Sequence, residues 1–245
     1  MSLAAAGGTS VRVLMQLRRD PRTIALLLAV PCLLVTLLKY VFVGQPAIFD
    51  RIGGPLLGLF PFSMMFLVAS ITMLRERTSG TLERLMTLPL HKLDLLIGYG
   101  VAFGLIGAVQ ATVVSALALG ALDLHVAGPA WAVGALAVTN ALLGMSLGLL
   151  LSAFARTEFQ AVEFMPAVVF PQLILCGLLA PRAAMARPLE LLSYCFPLTY
   201  AYDALDRITH DGTLGAAGLL DVVLVLTAIG AALALGAATL RRRTA

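Results

Sequence analysis

The sequence predicts an all-α polytopic membrane protein with six transmembrane helices. Three observations carry that expectation. Of 245 residues, 60% are hydrophobic and 12% charged, with a mean hydropathy of +0.97; a soluble domain of this length needs more charge to cover its surface. Stretches of roughly 20 apolar residues, enough to cross about 30 Å of hydrocarbon, recur at residues 23–43, 53–74, 95–121, 129–155, 159–180 and 214–240. Basic residues gather on alternate sides of these stretches. No segment between them is long enough to bury a core of its own, so residues 1–245 read as a single membrane domain.

The net charge of +4 would suggest nucleic-acid binding in a soluble protein. Here topology explains it. With the N-terminus inside, the cytoplasmic side holds Arg12, Arg18, Arg19, Arg22, Arg75, Arg77, Arg84, Lys92, Arg156 and Arg241 to Arg243; the outer side holds Lys39, Arg51, Arg182, Arg187 and Arg207. This is the asymmetry of the positive-inside rule, and an even number of spans returns both termini to the cytoplasm. No apolar core precedes residue 23, so a cleavable signal peptide is not expected. Arg, Ala, Leu and Gly richness suggests a GC-rich bacterial genome, and hence a bacterial cell membrane. Cys32, Cys176 and Cys195 form no C-x-x-C pair and read as small hydrophobes.

Residues 10–20 predict an interfacial amphipathic helix, with Val13, Leu14 and Leu17 on one face and Arg12, Gln16 and Arg19 on the other. Ser10 is its expected N-cap and Pro21 its stop. Residues 75–94 form the longest charged loop. Within it Leu82, Leu85 and Met86 share a helical face, Glu83 suits the first turn, and Pro89 ends the helix. Residues 181–212 are too long and apolar for a plain loop. They predict two short helices, 188–196 and 197–209, each opened by proline, re-entrant or interfacial, with Tyr194, Phe196, Tyr200 and Tyr202 at headgroup level.

Several chemistries are excluded or unsupported by pattern. Neither Lys39 nor Lys92 follows the glycine of a P-loop, so no ATP-hydrolysing machinery is expected in this chain. His91, His125 and His210 stand apart, no H-E-x-x-H or G-x-S-x-G occurs, and neither a metal nor a catalytic residue is expected. Polar residues inside spans are costly and informative: Gln110, Asn140, Glu163 and Gln172 are candidate pathway residues, alongside Asp221 near a span end. Gly100/Gly104 and Gly144/Gly148 are G-x-x-x-G pairs that let helices approach closely.

At the charged loop, Arg75-Glu76-Arg77-Thr78-Ser79-Gly80-Thr81-Leu82-Glu83-Arg84-Leu85, followed by Pro89, Leu95 and Gly98, resembles the motif of ABC-2 type permeases. Residues Thr157 to Pro166 and Phe196 to Leu205 extend the likeness toward the daunorubicin-resistance, drug-exporter branch of that family. The resemblance implies a half-transporter: two permeases, alike or different, pair in the membrane, and two separately encoded ATPase subunits, which bind ATP and Mg, dock below. It assigns 10–20 as the elbow helix, 75–94 as the coupling loop with 80–88 as the coupling helix, and 181–212 as the outer re-entrant segment. Glu76, Gly80, Thr81, Leu82, Glu83, Leu85 and Pro89 are the expected coupling residues. The implied function is ATP-driven export of an amphiphilic compound, a drug, antibiotic or lipid; alternatives are a lipid-linked or polysaccharide substrate, a membrane-embedded lipid enzyme, and a non-transporting assembly subunit. Glycine-lined faces, the first span and the polar end of the fifth are expected contacts between permeases.

Overall fold

A computed structural model describes residues 3–81 and 92–239 of the chain. Every regular element among them is helical. In order the α-helices are α1 (Leu3–Arg18), α2 (Pro21–Val41), α3 (Pro46–Thr78), α4 (Lys92–Ala116), α5 (Ala130–Leu151), α6 (Glu158–Phe164), α7 (Phe170–Leu175), α8 (Arg187–Ser193), α9 (Pro197–His210) and α10 (Gly215–Thr239), with π-helical stretches at Leu117–Ala121 and Met165–Val169 and a 3-10 turn at Arg182–Ala184. Among the described residues, five helices are long and apolar enough to cross a membrane: Pro21–Val41, Pro46–Thr78, Ile97–Ala121, Ala130–Leu151 and Gly215–Thr239. They fall on the expected first, second, third, fourth and sixth spans.

The expected fifth span, 159–180, is broken. α6 passes through a π-helical stretch, Met165–Val169, into α7, which ends at Leu175. Pro166 and Pro171 each remove a backbone donor, and a π-bulge is the usual accommodation. Beyond α7 the chain bends at Gly177, whose φ of +113° is open to glycine and strained for any other residue.

Two other boundaries differ from expectation. Helix covers both ends of the loop expected at 75–94, because α4 begins at Lys92 and α3 continues to Thr78. Its 33 residues make a rod of about 50 Å at 1.5 Å per residue, longer than the hydrocarbon is thick. The N-terminal helix starts at Leu3, so Ser10 lies inside it rather than at its cap. Asp20 caps α2 instead, its carboxylate accepting from Thr23 N at 3.2 Å and Thr23 Oγ1 at 2.7 Å, with Pro21 in the first turn.

The bundle is built around the seam of α3 and α5. Gly144 and Gly148 press against the α3 backbone so closely that a Cβ at either would fall on the carbonyl oxygen of Phe62 or Phe66. On α4, Gly104 and Gly107 face Leu142 and Ala141 of α5. These glycine faces, expected between permeases, are therefore used within the chain. Lipid competes for apolar side chains as well as a helix does, so close backbone approach and dispersion hold such seams. α1 lies along α4, with Val13 buried among Leu27, Met73, Leu95 and Ala237. That cluster puts α1, the end of α3, the start of α4 and the end of α10 together at one end, called here the basic end.

At the far end α9 is wedged between α3, α5 and α10. Leu198 and Leu205 are fully buried, and Leu205 occupies the space that Gly58 leaves open on α3. The polar side of α9 pairs outward: Arg182 Nη2 meets Asp203 Oδ2 at 2.7 Å, and Arg207 Nε lies 3.5 Å from Asp221 Oδ2. Burial raises the Asp203 carboxyl above its ordinary value, against the pull of Arg182. Tyr200 donates to Tyr194 O at 2.8 Å.

Candidate functional site at the basic end of the bundle

Glu76 lies in the last turns of α3 and is 4% exposed. A carboxylate buried this deeply is costly unless it is paired and hydrogen-bonded. Its partners come from two other helices. Arg12 of α1 donates through Nη1 to Oε1 at 2.6 Å and through Nη2 to Oε2 at 3.2 Å, the bidentate geometry that suits a guanidinium to a carboxylate. Tyr99, one turn into the apolar run of α4, donates its hydroxyl to Oε2 of the same carboxylate. Arg12 Nη2 also donates to the Tyr99 oxygen at 3.0 Å, and its guanidinium carbon lies 5.8 Å from the Tyr99 ring centroid. Burial works against the Arg12 charge, but the Glu76 hydrogen bond leads the contributions that leave its pKa above the ordinary value. One residue earlier on α1 than Val11, Ser10 Oγ donates to Gly98 O of α4 at 2.9 Å. Three helices are thus cross-linked at the root of the segment that follows α3.

A second link lies beside the first. Arg75 Nε and Nη2 donate to the two carboxylate oxygens of Glu158 at 2.8 and 3.0 Å, joining α3 to the head of α6. Both side chains are more than half exposed. The hydrogen bonds from Arg75 hold Glu158 below the usual carboxylate range. Between α1 and α3 runs a cleft of about 290 Å³ whose walls include Gln16, Asp20, Arg75, Glu76, Ser79 and Thr81.

α3 stops at Thr78. Ser79 caps it, its N–H bonded to Arg75 O at 2.9 Å. Gly80 then takes φ +70° with open space around it, the left-handed conformation that commonly ends a helix and that glycine reaches without strain. Thr81 Oγ1 lies 3.0 Å from Ser79 Oγ. Of the expected coupling residues, Glu76, Gly80 and Thr81 are therefore gathered here. Leu82, Glu83, Leu85 and Pro89, with Met86, lie outside the described residues.

The candidate pathway residues are spread over separate seams. Gln110 of α4 is fully buried and donates to Leu27 O of α2 at 3.0 Å. Asn140 of α5 is buried beside Gly58 of α3. Gln172 is buried on α7 and donates to Val168 O at 3.0 Å, while Glu163 on α6 is exposed. Gln110 Oε1, Asn140 Nδ2 and Gln172 Oε1 are buried with no hydrogen-bond partner among the described residues.

Sequence reasoning placed Glu76 in the coupling set but missed its partners. Amphipathic patterning puts Arg12 on the polar face of a surface helix, and nothing in the apolar run around Tyr99 marks that residue. The available signal was Glu76 itself: an acid in the last turns of a long apolar helix demands a cation, and Arg12 is adjacent on its helix to buried Val13.

Residues 9–208 match the family described as ABC-2 type transporter. The chain belongs to that family. Among curated relatives, this ABC-2 type chain is 27% identical over 163 residues to "ABC transporter G family member 20" of Dictyostelium discoideum, covering 66% of this chain and 22% of the relative. It is 29% identical over 147 residues to "Probable multidrug ABC transporter permease YbhR" of Escherichia coli (strain K12), covering 59% and 39% respectively. The chain thus matches 22% and 39% of the lengths of these relatives, whereas the family match runs from residue 9 to residue 208. It contains α1 from Thr9, the whole of α2 to α8, and most of α9.

Proposed function

We propose that this chain is the membrane-spanning permease of an ATP-driven exporter, with a separate ATPase engaging the segment after α3. The observation that carries the reading is the Arg12–Glu76–Tyr99 junction. It ties the root of that segment to α1 and α4, so a push on the segment is delivered to three helices rather than to a free loop. Family membership supports the class of machine, and the word multidrug in the name of the Escherichia coli relative supports a drug-like cargo. The basic residues at the α1–α2 turn, the end of α3 and residues 241–243 support a cytoplasmic basic end, both termini included. Two such permeases and two ATPase subunits would complete the pathway in a bacterial cell membrane, with ATP and Mg held by the ATPase. Residues 181–212 would then face the outside, and Gln172, Asn140 and Gln110 would offer hydrogen bonds to cargo when the seams open.

The test is reconstitution with the partner ATPase. A double variant, Leu85→Asp with Glu83→Ala, is expected to insert normally, lose copurification of the ATPase and lose substrate-stimulated hydrolysis. Normal ATPase binding and export by that variant would overturn the coupling assignment.

A further inference from the structure

A groove of about 230 Å³ opens at the junction of α1, α2 and α4. Its walls are aliphatic, among them Leu14, Leu17, Leu27, Leu105 and Val109, with Arg18 as the one polar side chain. It is continuous with a stripe on the bundle surface: Val101, Leu105, Val109 and Val113 recur every fourth residue on α4 and are 39–56% exposed. A groove with this lining takes a hydrocarbon chain and offers nothing to a polar peptide or a solvated cargo head.

The mouth is basic. Arg18, Arg19 and Arg22 cluster at the α1–α2 turn, all exposed, and none has an ion-pair partner among the described residues. The one acid between them, Asp20, is engaged in capping α2 through Thr23. We propose that this groove is a binding site for an anionic phospholipid of the leaflet at the basic end. One acyl chain lies along α4 between α1 and α2, and the phosphate sits against Arg18 with Arg19 and Arg22 beside it. Hydrocarbon walls select a lipid tail, and the guanidinium at one end selects a negative headgroup over a zwitterionic one. Assignment of that leaflet as cytoplasmic rests on the orientation proposed above; the site itself does not.

The test uses the single tryptophan of the chain, Trp131. In a Trp131→Phe background, Leu14→Trp places a reporter in the groove. The protein is reconstituted in phosphatidylcholine vesicles containing one fifth phosphatidylglycerol, with bromine on the acyl chains of either lipid in turn. Brominated phosphatidylglycerol is expected to quench at least threefold more than the same fraction of brominated phosphatidylcholine. Adding Arg18→Gln should bring the ratio close to one. Equal quenching by both lipids in the parent reporter would reduce the groove to ordinary bilayer contact. Absence of quenching by either would mean that a second copy or another protein segment fills it. Both results overturn the proposal. If the reporter variant does not fold, native mass spectrometry of the unaltered chain against Arg18→Gln decides the matter: retained phosphatidylglycerol should fall at least fivefold, and unchanged retention overturns the site. No ATPase or cargo enters these measurements, so their failure leaves the exporter reading standing, and loss of coupled hydrolysis leaves the lipid result standing.

Discussion

Glu76 shows how one buried charge organises the basic end. Glu76→Gln would leave Arg12, which is 26% exposed, without a counter-charge and would weaken the bond from Tyr99. We expect a loss of about 2 kcal/mol, read as a fall of about 5 °C in detergent melting temperature. Replacing Arg12 and Glu76 together by Met should recover most of that loss, because no uncompensated charge then remains. If the double variant is less stable than both single ones, the pair contributes more than mutual neutralisation. Glu158 offers a pH signature at the same scale. Its folded pKa is depressed from the ordinary 4.5 by Arg75, so its contribution is present above that value and disappears as pH falls through the folded value. The contact is exposed and worth about 0.5 kcal/mol. Glu158→Gln should therefore lower the melting temperature by about 1 °C at pH 7 and by nothing measurable once the parent is acidified well below pH 4.5. The Arg12 partnership was hidden from the sequence because Arg12 and Glu76 are 64 residues apart and amphipathic patterning assigns every arginine to water.

Among the elements, those legible in the sequence were the ones with a strong period or a strong stop. The long apolar helices and the proline-opened α8 and α9 follow from hydropathy and backbone chemistry. What the sequence did not reveal was continuity. Charge at Arg75 and Glu76 suggested a loop, yet α3 continues because these side chains find partners on α1 and α6. The fifth stretch is apolar enough to count as one span, and Pro166 and Pro171 are able to kink it, but hydropathy does not show that they divide it into α6, a π-helical stretch and α7. Nor could the pattern say whether G-x-x-x-G faces join helices of one chain or of two. The structure makes a sharp test of that point. Gly148→Val should abolish folded protein, since its Cβ would meet the Phe66 carbonyl. Gly134→Val, on the same helix with nothing within 4 Å, should express and melt like the parent. Comparable recovery of both variants in a fluorescence size-exclusion assay would mean that the α3–α5 seam is looser than described.

For the whole molecule, the sharpest expectation concerns sidedness. In a background with Cys32, Cys176 and Cys195 replaced, a cysteine at Ser79 should be reached by impermeant thiol reagents only after the cells are opened. One at Thr213 should be labelled in intact cells. External labelling at Ser79, or none at Thr213, would invert or break the proposed orientation. Both positions are exposed in the structure, so silence at either reports the barrier rather than burial.

α3 also has mechanical properties that differ along its length. Between Gly53 and Pro61 it carries Gly53, Gly54, Pro55, Gly58 and Pro61, residues that remove side-chain bulk and backbone donors and so reduce bending stiffness. From Phe62 to Thr78 it holds no glycine or proline, and its Phe62 and Phe66 carbonyls rest on the fulcrum formed by Gly144 and Gly148. A stiff handle of roughly 25 Å is thus joined to a compliant shaft. A 10° swing of that handle about its fulcrum displaces the Glu76 end by about 3 Å, and the strain is taken up where α3 meets Asn140 and Leu205. If the proposed function holds, paired spin labels at the two ends of the handle should keep a fixed separation through the transport cycle, while a pair spanning Gly53 and Pro61 should broaden.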